Sequence, residues 1–176
     1  MIEHSARQTI FYIFGPLALA GLLLSVATHV AALTGRSGPL GDFSMVLHVG
    51  IFVVWIPAVF LAKDLARGSK SADLWKQTLR GAPAWVRYAN QALFIYTAVN
   101  FFIFIGLADK NTPGGGMSAA DVRGFSGHWM LFYATALSIL YSASNIPDRE
   151  RTCPHGHPIG PRAGICLTCL RPPDGV

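Results

Sequence analysis

The chain has 176 residues, of which 52% are hydrophobic and only 13% charged, whereas a soluble domain carries about 25% charged residues. That deficit excludes an ordinary water-soluble protein and predicts an integral membrane protein. The formal net charge of +5 therefore has to be read loop by loop, because cationic residues in a membrane protein mark a side of the bilayer.

Four stretches reach the roughly 20 mostly apolar residues that a helix needs to cross a hydrocarbon core of about 30 Å. The first covers residues 9–33, TIFYIFGPLALAGLLLSVATHVAAL. Its apolar run exceeds the 7–15 residues of a signal-peptide core, so it is expected to remain as a helix. Gly15-Pro16 should bend it, since proline leaves a carbonyl without its helical donor. A short loop with Arg36 leads to the second stretch, residues 43–62, FSMVLHVGIFVVWIPAVFLA, with Pro57 as a second bending point.

The next loop is the most basic of the chain, with Lys63, Arg67, Lys70, Lys76, Arg80 and Arg87. Within it, residues 71–80 place Leu74, Trp75, Thr78 and Leu79 on one helical face. Such a helix can lie in the headgroup layer or stand as a plain cytosolic helix. The third stretch, residues 88–108, YANQALFIYTAVNFFIFIGLA, ends in a glycine-rich loop, DKNTPGGGMSAADVRG, with no strand before it to make a phosphate-binding turn. The fourth covers residues 125–144, FSGHWMLFYATALSILYSAS. Lipid offers the backbone no hydrogen-bond partners, so all four should be helices. The fold expected is an all-α membrane bundle of four spans over residues 1–146, with a small module at 147–176.

With four spans and both termini on one side, 11 of the 14 Lys and Arg residues share that side and three, Arg36, Lys110 and Arg123, face the other. The positive-inside bias then places both termini in the cytosol and the chain in the cytoplasmic membrane.

The tail holds all three cysteines, in CPHGHPIGPRAGICLTCL, residues 153–170. Cys153 with His157 and Cys166 with Cys169 form two close pairs of zinc-type ligands. Gly156 permits a tight turn between the first two, and His155 competes with His157 as the fourth ligand. A disulfide plus one thiol is the alternative, disfavoured in a reducing cytosol. These residues resemble the bacterial zinc ribbon in which a Cys-Pro-x-Gly-His knuckle faces a Cys-x-x-Cys knuckle. Leu170 departs from that pattern, where glycine usually follows the last cysteine. The resemblance implies a structural zinc ion on Cys153, His157, Cys166 and Cys169, with no coordination position left for catalysis. About eight residues join the module to the fourth helix, so it should lie near the anionic inner leaflet. It has no aromatic residue on which bases could stack, which argues against a nucleic-acid partner.

His29, His48 and His128 fall on three different predicted helices, each roughly 4–8 Å inside the external end at 1.5 Å per residue. Ionisable residues at such depth call for a functional hypothesis. They could ligate a b-type haem, hold copper, zinc or iron as a three-histidine site, or serve as hydrogen-bonding groups. Four helices bearing histidines broadly resemble membrane b-type cytochromes in architecture, which implies at most one haem at this single level. Asn90, Thr97, Asn100, Ser138 and Ser142 are expected to bond between helices. No carboxylate lies at mid-membrane, and no Ser-His-Asp set or carboxylate pair is present, which argues against a proton-coupled transporter and against a hydrolase. Two functions follow as expectations: an accessory or interaction subunit with a protein partner or further copies of itself, or a haem-bearing electron carrier.

Overall fold

The computed structural model describes residues 2–36, 45–67, 70, 73–107 and 119–146, and in the tail 151–152, 155, 158–159, 166 and 168–169. The chain divides into two units, residues 1–145 and 146–176. The first contains helices α1 (His4–Leu33), α2 (Val46–Leu65), α3 (Leu74–Thr78), α4 (Ala84–Leu107) and α5 (Ala119–Asn145). The second contains a two-residue antiparallel ladder, β1 (Arg151–Thr152) with β2 (Pro158–Ile159).

α1 and α2 are long and apolar enough to cross a membrane, with mean hydropathy of 2.1 and 2.0 over their most apolar windows. Only 22% and 28% of those windows are buried inside the protein. A core helix of a soluble protein would be mostly buried. Here the apolar side chains face outward: Tyr12 and Leu23 on α1, Val49 and Phe60 on α2. Both helices continue through their prolines, Pro16 and Pro57.

α5 is the axis of the unit, with α1, α2, α3 and α4 all packed on it and α1 also touching α2. Sequence composition explains its position. Trp129, Ala136, Leu140 and Ala143 are fully enclosed, while only Phe125 and Tyr141 among its large apolar residues are exposed, each barely. α1 meets it along small residues, Ala18, Gly21, Ser25, Thr28 and Ala32, all buried and spaced alternately by three and four. Such a stripe lets two helix backbones approach closely. At its centre the Tyr133 ring of α5 fills the space over Gly21 of α1, where a Cβ would overlap it. The same ring reaches Gly50 of α2, and its hydroxyl donates to the Leu47 carbonyl at 2.8 Å. One aromatic side chain thus joins three helices.

α4 is held to α5 by a ladder of polar side chains. Asn90 Nδ2 donates to Ser138 Oγ at 2.9 Å, and its Oδ1 accepts from Thr135 Oγ1 at 2.9 Å. Thr97 Oγ1 donates to the Gly127 carbonyl at 3.1 Å. Asn100 closes a two-way contact with Arg123, donating to its carbonyl at 2.9 Å and accepting from its Nε at 3.0 Å. Side-chain bonds of this kind between helices contribute on the order of 0.5–1.5 kcal/mol each.

Contacts between helix ends fix an antiparallel arrangement. At one end the Ile2 amide donates to Asp64 Oδ2 at 2.8 Å, which sets the start of α1 beside the end of α2. At the same end of α5, Ser142 Oγ donates to the Thr78 carbonyl at 2.7 Å and accepts from the Gly81 amide at 3.0 Å. Those bonds draw the end of α3 onto α5. Within the expected 71–80 the α-helix covers Leu74–Thr78, and the expected common face is divided, with Thr78 and Leu79 buried against the bundle and Leu74 exposed.

Candidate functional site

The histidines lie at the opposite end of the bundle, and they do not form one cluster. His29 of α1 is buried, and both ring nitrogens are engaged. Its Nδ1 meets Ser126 Oγ at 2.8 Å, and its Nε2 meets the Tyr96 hydroxyl of α4. Ser126 spends its one proton on the Arg123 carbonyl at 3.2 Å. With the Ser126 proton on that carbonyl, Ser126 accepts from His29 Nδ1–H and His29 Nε2 accepts from the Tyr96 hydroxyl. The result is a directed chain from α4 through α1 to α5, with every member satisfied.

His48 of α2 and His128 of α5 are brought ring to ring, 5.9 Å between centroids and 15° between planes. Phe52 and Phe125 flank His48 at 6.2 and 6.4 Å, and Phe132 lies 4.5 Å from His128. Trp129 Nε1, fully buried, donates to His48 Nδ1 at 3.3 Å. A neutral His48 in this bond keeps its proton on Nε2. To ligate a metal through Nε2 it would have to shift that proton and release Trp129.

The division between His29 and the other two follows from helix geometry. Ser126 and His128 are two positions apart, about 200° around a helix. Ser126 faces α1, so His128 faces away from α1, toward α2. The fourth predicted stretch, beginning at residue 125, places His128 close to a helix start. α5 in fact begins at Ala119 and carries His128 more than two turns inside. Among the described residues no group of three or more His, Cys, Asp or Glu side chains is assembled that could hold a metal ion.

In the tail, Cys166 is buried and Cys169 half-buried, and His155 is exposed. Cys153 and His157 lie outside the described residues. In the ladder Arg151 pairs with Ile159 and Thr152 with Pro158. By sequence, the segment between the two strands carries Cys153 at its start and His157 at its end.

Two apolar grooves lie among the described residues, one on each flank of α4. The groove on the α2 side, about 550 Å³, runs between Trp55, Trp75, Phe94 and Phe132. The groove on the α1 side, about 510 Å³, is lined by Phe11, Trp85, Leu93 and Tyr141 among others. Neither is lined by a histidine. Sequence reasoning missed Tyr96, the small-residue stripe of α1 and both grooves. The stripe had a readable signal in its alternating spacing, whereas the grooves exist only because α4 packs chiefly on α5. Comparisons with protein-family models, with curated proteins and with solved structures gave no match to this chain.

Proposed function

We propose that the chain is a four-span protein of the cytoplasmic membrane, with both termini in the cytosol and a zinc-ordered tail, acting as an accessory or interaction subunit of a membrane complex. One observation carries the reading: the unit is apolar on its outside and keeps its hydrogen-bonded polar side chains inside. Large apolar side chains project from α4 as freely as from α1 and α2, with Trp85, Tyr88, Phe94 and Phe102 all more than 60% exposed. Asn90, Thr97, Asn100, Ser126, Ser138 and Ser142 are buried and hydrogen-bonded between helices. Water would reverse that distribution, and lipid requires it. α4 and α5, at 24 and 27 residues, are about 36 and 40 Å long, sufficient to span.

The tail reading is supported by donor chemistry. Three thiols and an imidazole suit zinc, and in the sequence Cys153 and His157 fall between the two paired strands. A zinc ion held by four protein ligands would order the module and leave no open position for a substrate. Absence of any mid-membrane carboxylate, together with the hydrogen bonds that tie Asn90, Thr97, Asn100, Ser138 and Ser142 between helices, supports a packing and docking role over transport. Alkaline extraction and metal analysis test this reading. The protein should stay in the membrane fraction at alkaline pH and, when purified in detergent, carry one zinc per chain.

A second reading is a b-type haem electron carrier, favoured by the ring-to-ring approach of His48 and His128. Those two side chains would supply the axial nitrogens and the haem a one-electron couple; His29 would take no part. A Soret band lost in His48→Ala and in His128→Ala would establish it, and a colourless zinc protein would dismiss it.

A further inference from the structure

The two grooves beside α4 differ in one respect, and the difference points to a ligand. Asn90 borders both, but its amide is fully used: Nδ2 donates to the Val86 carbonyl and to Ser138 at 2.9 Å each, and Oδ1 accepts from Thr135. Ser138, in the α1-side groove, donates to the Ala134 carbonyl at 2.7 Å. At the depth of Asn90 that groove therefore offers little to a polar group; its other side-chain donors, the Trp85 indole N–H and the Tyr141 hydroxyl, belong to residues near the helix ends. The α2-side groove also contains Gln91, which is exposed and makes no side-chain hydrogen bond among the described residues. Thr135 beside it has given its proton to Asn90 and keeps lone pairs only.

Gln91 lies seven residues into α4, about 10 Å along the helix from its start. It is thus deeper than Trp85 and Tyr88, whose exposed rings suit the headgroup level. A primary amide turned toward hydrocarbon with no partner is strongly disfavoured. Whatever fills this groove should bring a hydrogen-bonding atom to that depth. The walls also select its body. Trp55 and Phe132 meet edge to face at 4.9 Å, and Phe94 and Trp75 stand on the other sides. Aromatic walls of this kind favour a flat conjugated ring. A volume of about 550 Å³ falls within the roughly 300–1,000 Å³ of small-molecule sites.

We propose that the α2-side groove binds a lipophilic ring of the quinone class, with a ring carbonyl accepting from the Gln91 amide and the ring held among Trp55, Phe94 and Phe132. The tail leaves along the open flank of α4 into lipid. A phospholipid acyl chain brings no hydrogen-bonding atom to this depth and gains nothing from aromatic walls. The amide suits both redox forms, because Gln91 can donate to a carbonyl or, flipped, accept from a hydroxyl. This site rests on the four-span reading, since it needs the flank of α4 to face lipid.

The test is a titration of the full-length protein in detergent with a benzoquinone bearing a decyl chain, followed by quenching of tryptophan fluorescence. Expected are saturable quenching, a loss of amplitude in Trp55→Phe and Trp75→Phe but not in Trp85→Phe, and roughly tenfold weaker binding in Gln91→Leu, the effect of losing about one hydrogen bond. Leucine at this lipid-facing position should leave the fold intact, which circular dichroism checks. Unsaturable quenching, equal affinity in Gln91→Leu, displacement by decanol or by phospholipid, or ready disulfide cross-linking of Gln91→Cys between copies would each overturn the site. Solubility without detergent would overturn the four-span reading and the site with it. Dependence on detergent with unsaturable quenching would overturn the site alone.

Discussion

Gly21→Ala is the smallest change that tests how this bundle is held together. A Cβ there would come within 3 Å of three atoms of the Tyr133 ring. That ring is no loose chain end: it is buried, it lies over Gly50 on the far side, and its hydroxyl is tied to Leu47. Either α1 backs away along its small-residue stripe or the ring turns and gives up its hydrogen bond. Overpacking of a close contact destabilises by about 1–3 kcal/mol, and loss of the Leu47 bond adds about 0.6 kcal/mol. The expected change is about 2–3 kcal/mol, or roughly 30- to 150-fold in the unfolding equilibrium. Unfolding in mixed micelles with increasing dodecyl sulfate, followed by circular dichroism, reads it directly. Tyr133→Phe alone should cost about 0.6 kcal/mol. In Tyr133→Leu, which removes the ring, the penalty for Gly21→Ala should mostly vanish, a strong non-additivity expected of groups in contact. A Gly21→Ala change below about 0.5 kcal/mol, or strict additivity with Tyr133→Leu, would refute the packing described.

Other substitutions separate structural from exposed polar groups. Asn90→Leu removes three hydrogen bonds at once, so it should destabilise by about 2 kcal/mol in the same assay, whereas Gln91→Leu, one position on, should be neutral or stabilising. Tyr96→Phe should lower stability by about 1 kcal/mol by leaving buried His29 Nε2 unpaired; unchanged stability would mean the chain through His29 and Ser126 does not join the helices. Cys166→Ser or Cys169→Ser should abolish zinc in atomic-absorption analysis and expose the tail to protease while leaving the helical spectrum intact; retained zinc would reject the ligand set.

Much of this architecture was legible in the amino-acid pattern, for physical reasons. Long apolar runs satisfy their backbone hydrogen bonds most readily as helices, so the helix positions could be read, with shifts of up to six residues at the ends. Expected interhelical bonds from Asn90, Thr97, Asn100, Ser138 and Ser142 are present, because a buried polar group in an apolar bundle has few alternatives. Which helix sits at the centre could not be read from hydropathy, since α5 is set apart by small and polar residues that a window average discounts. That His29, His48 and His128 lie on three different helices was legible, but their directions were not. His29 turns toward Ser126 and Tyr96 while His48 turns toward His128, a choice fixed by the angular position of two residues on α5. Asp64, which accepts from the Ile2 amide at the opposite end, carried no signal beyond its place after a span.

The central claim is that four helices cross the bilayer and leave both ends in the cytosol. It is tested most directly with a membrane-impermeant maleimide on intact cells and on cells made permeable, with chelator present to free any zinc-bound thiols. The account predicts that the native cysteines react only after permeabilisation, while a cysteine placed in the third loop by Gly115→Cys reacts in intact cells. Labelling of Cys153, Cys166 or Cys169 from outside intact cells, or protection of Gly115→Cys there, would contradict it.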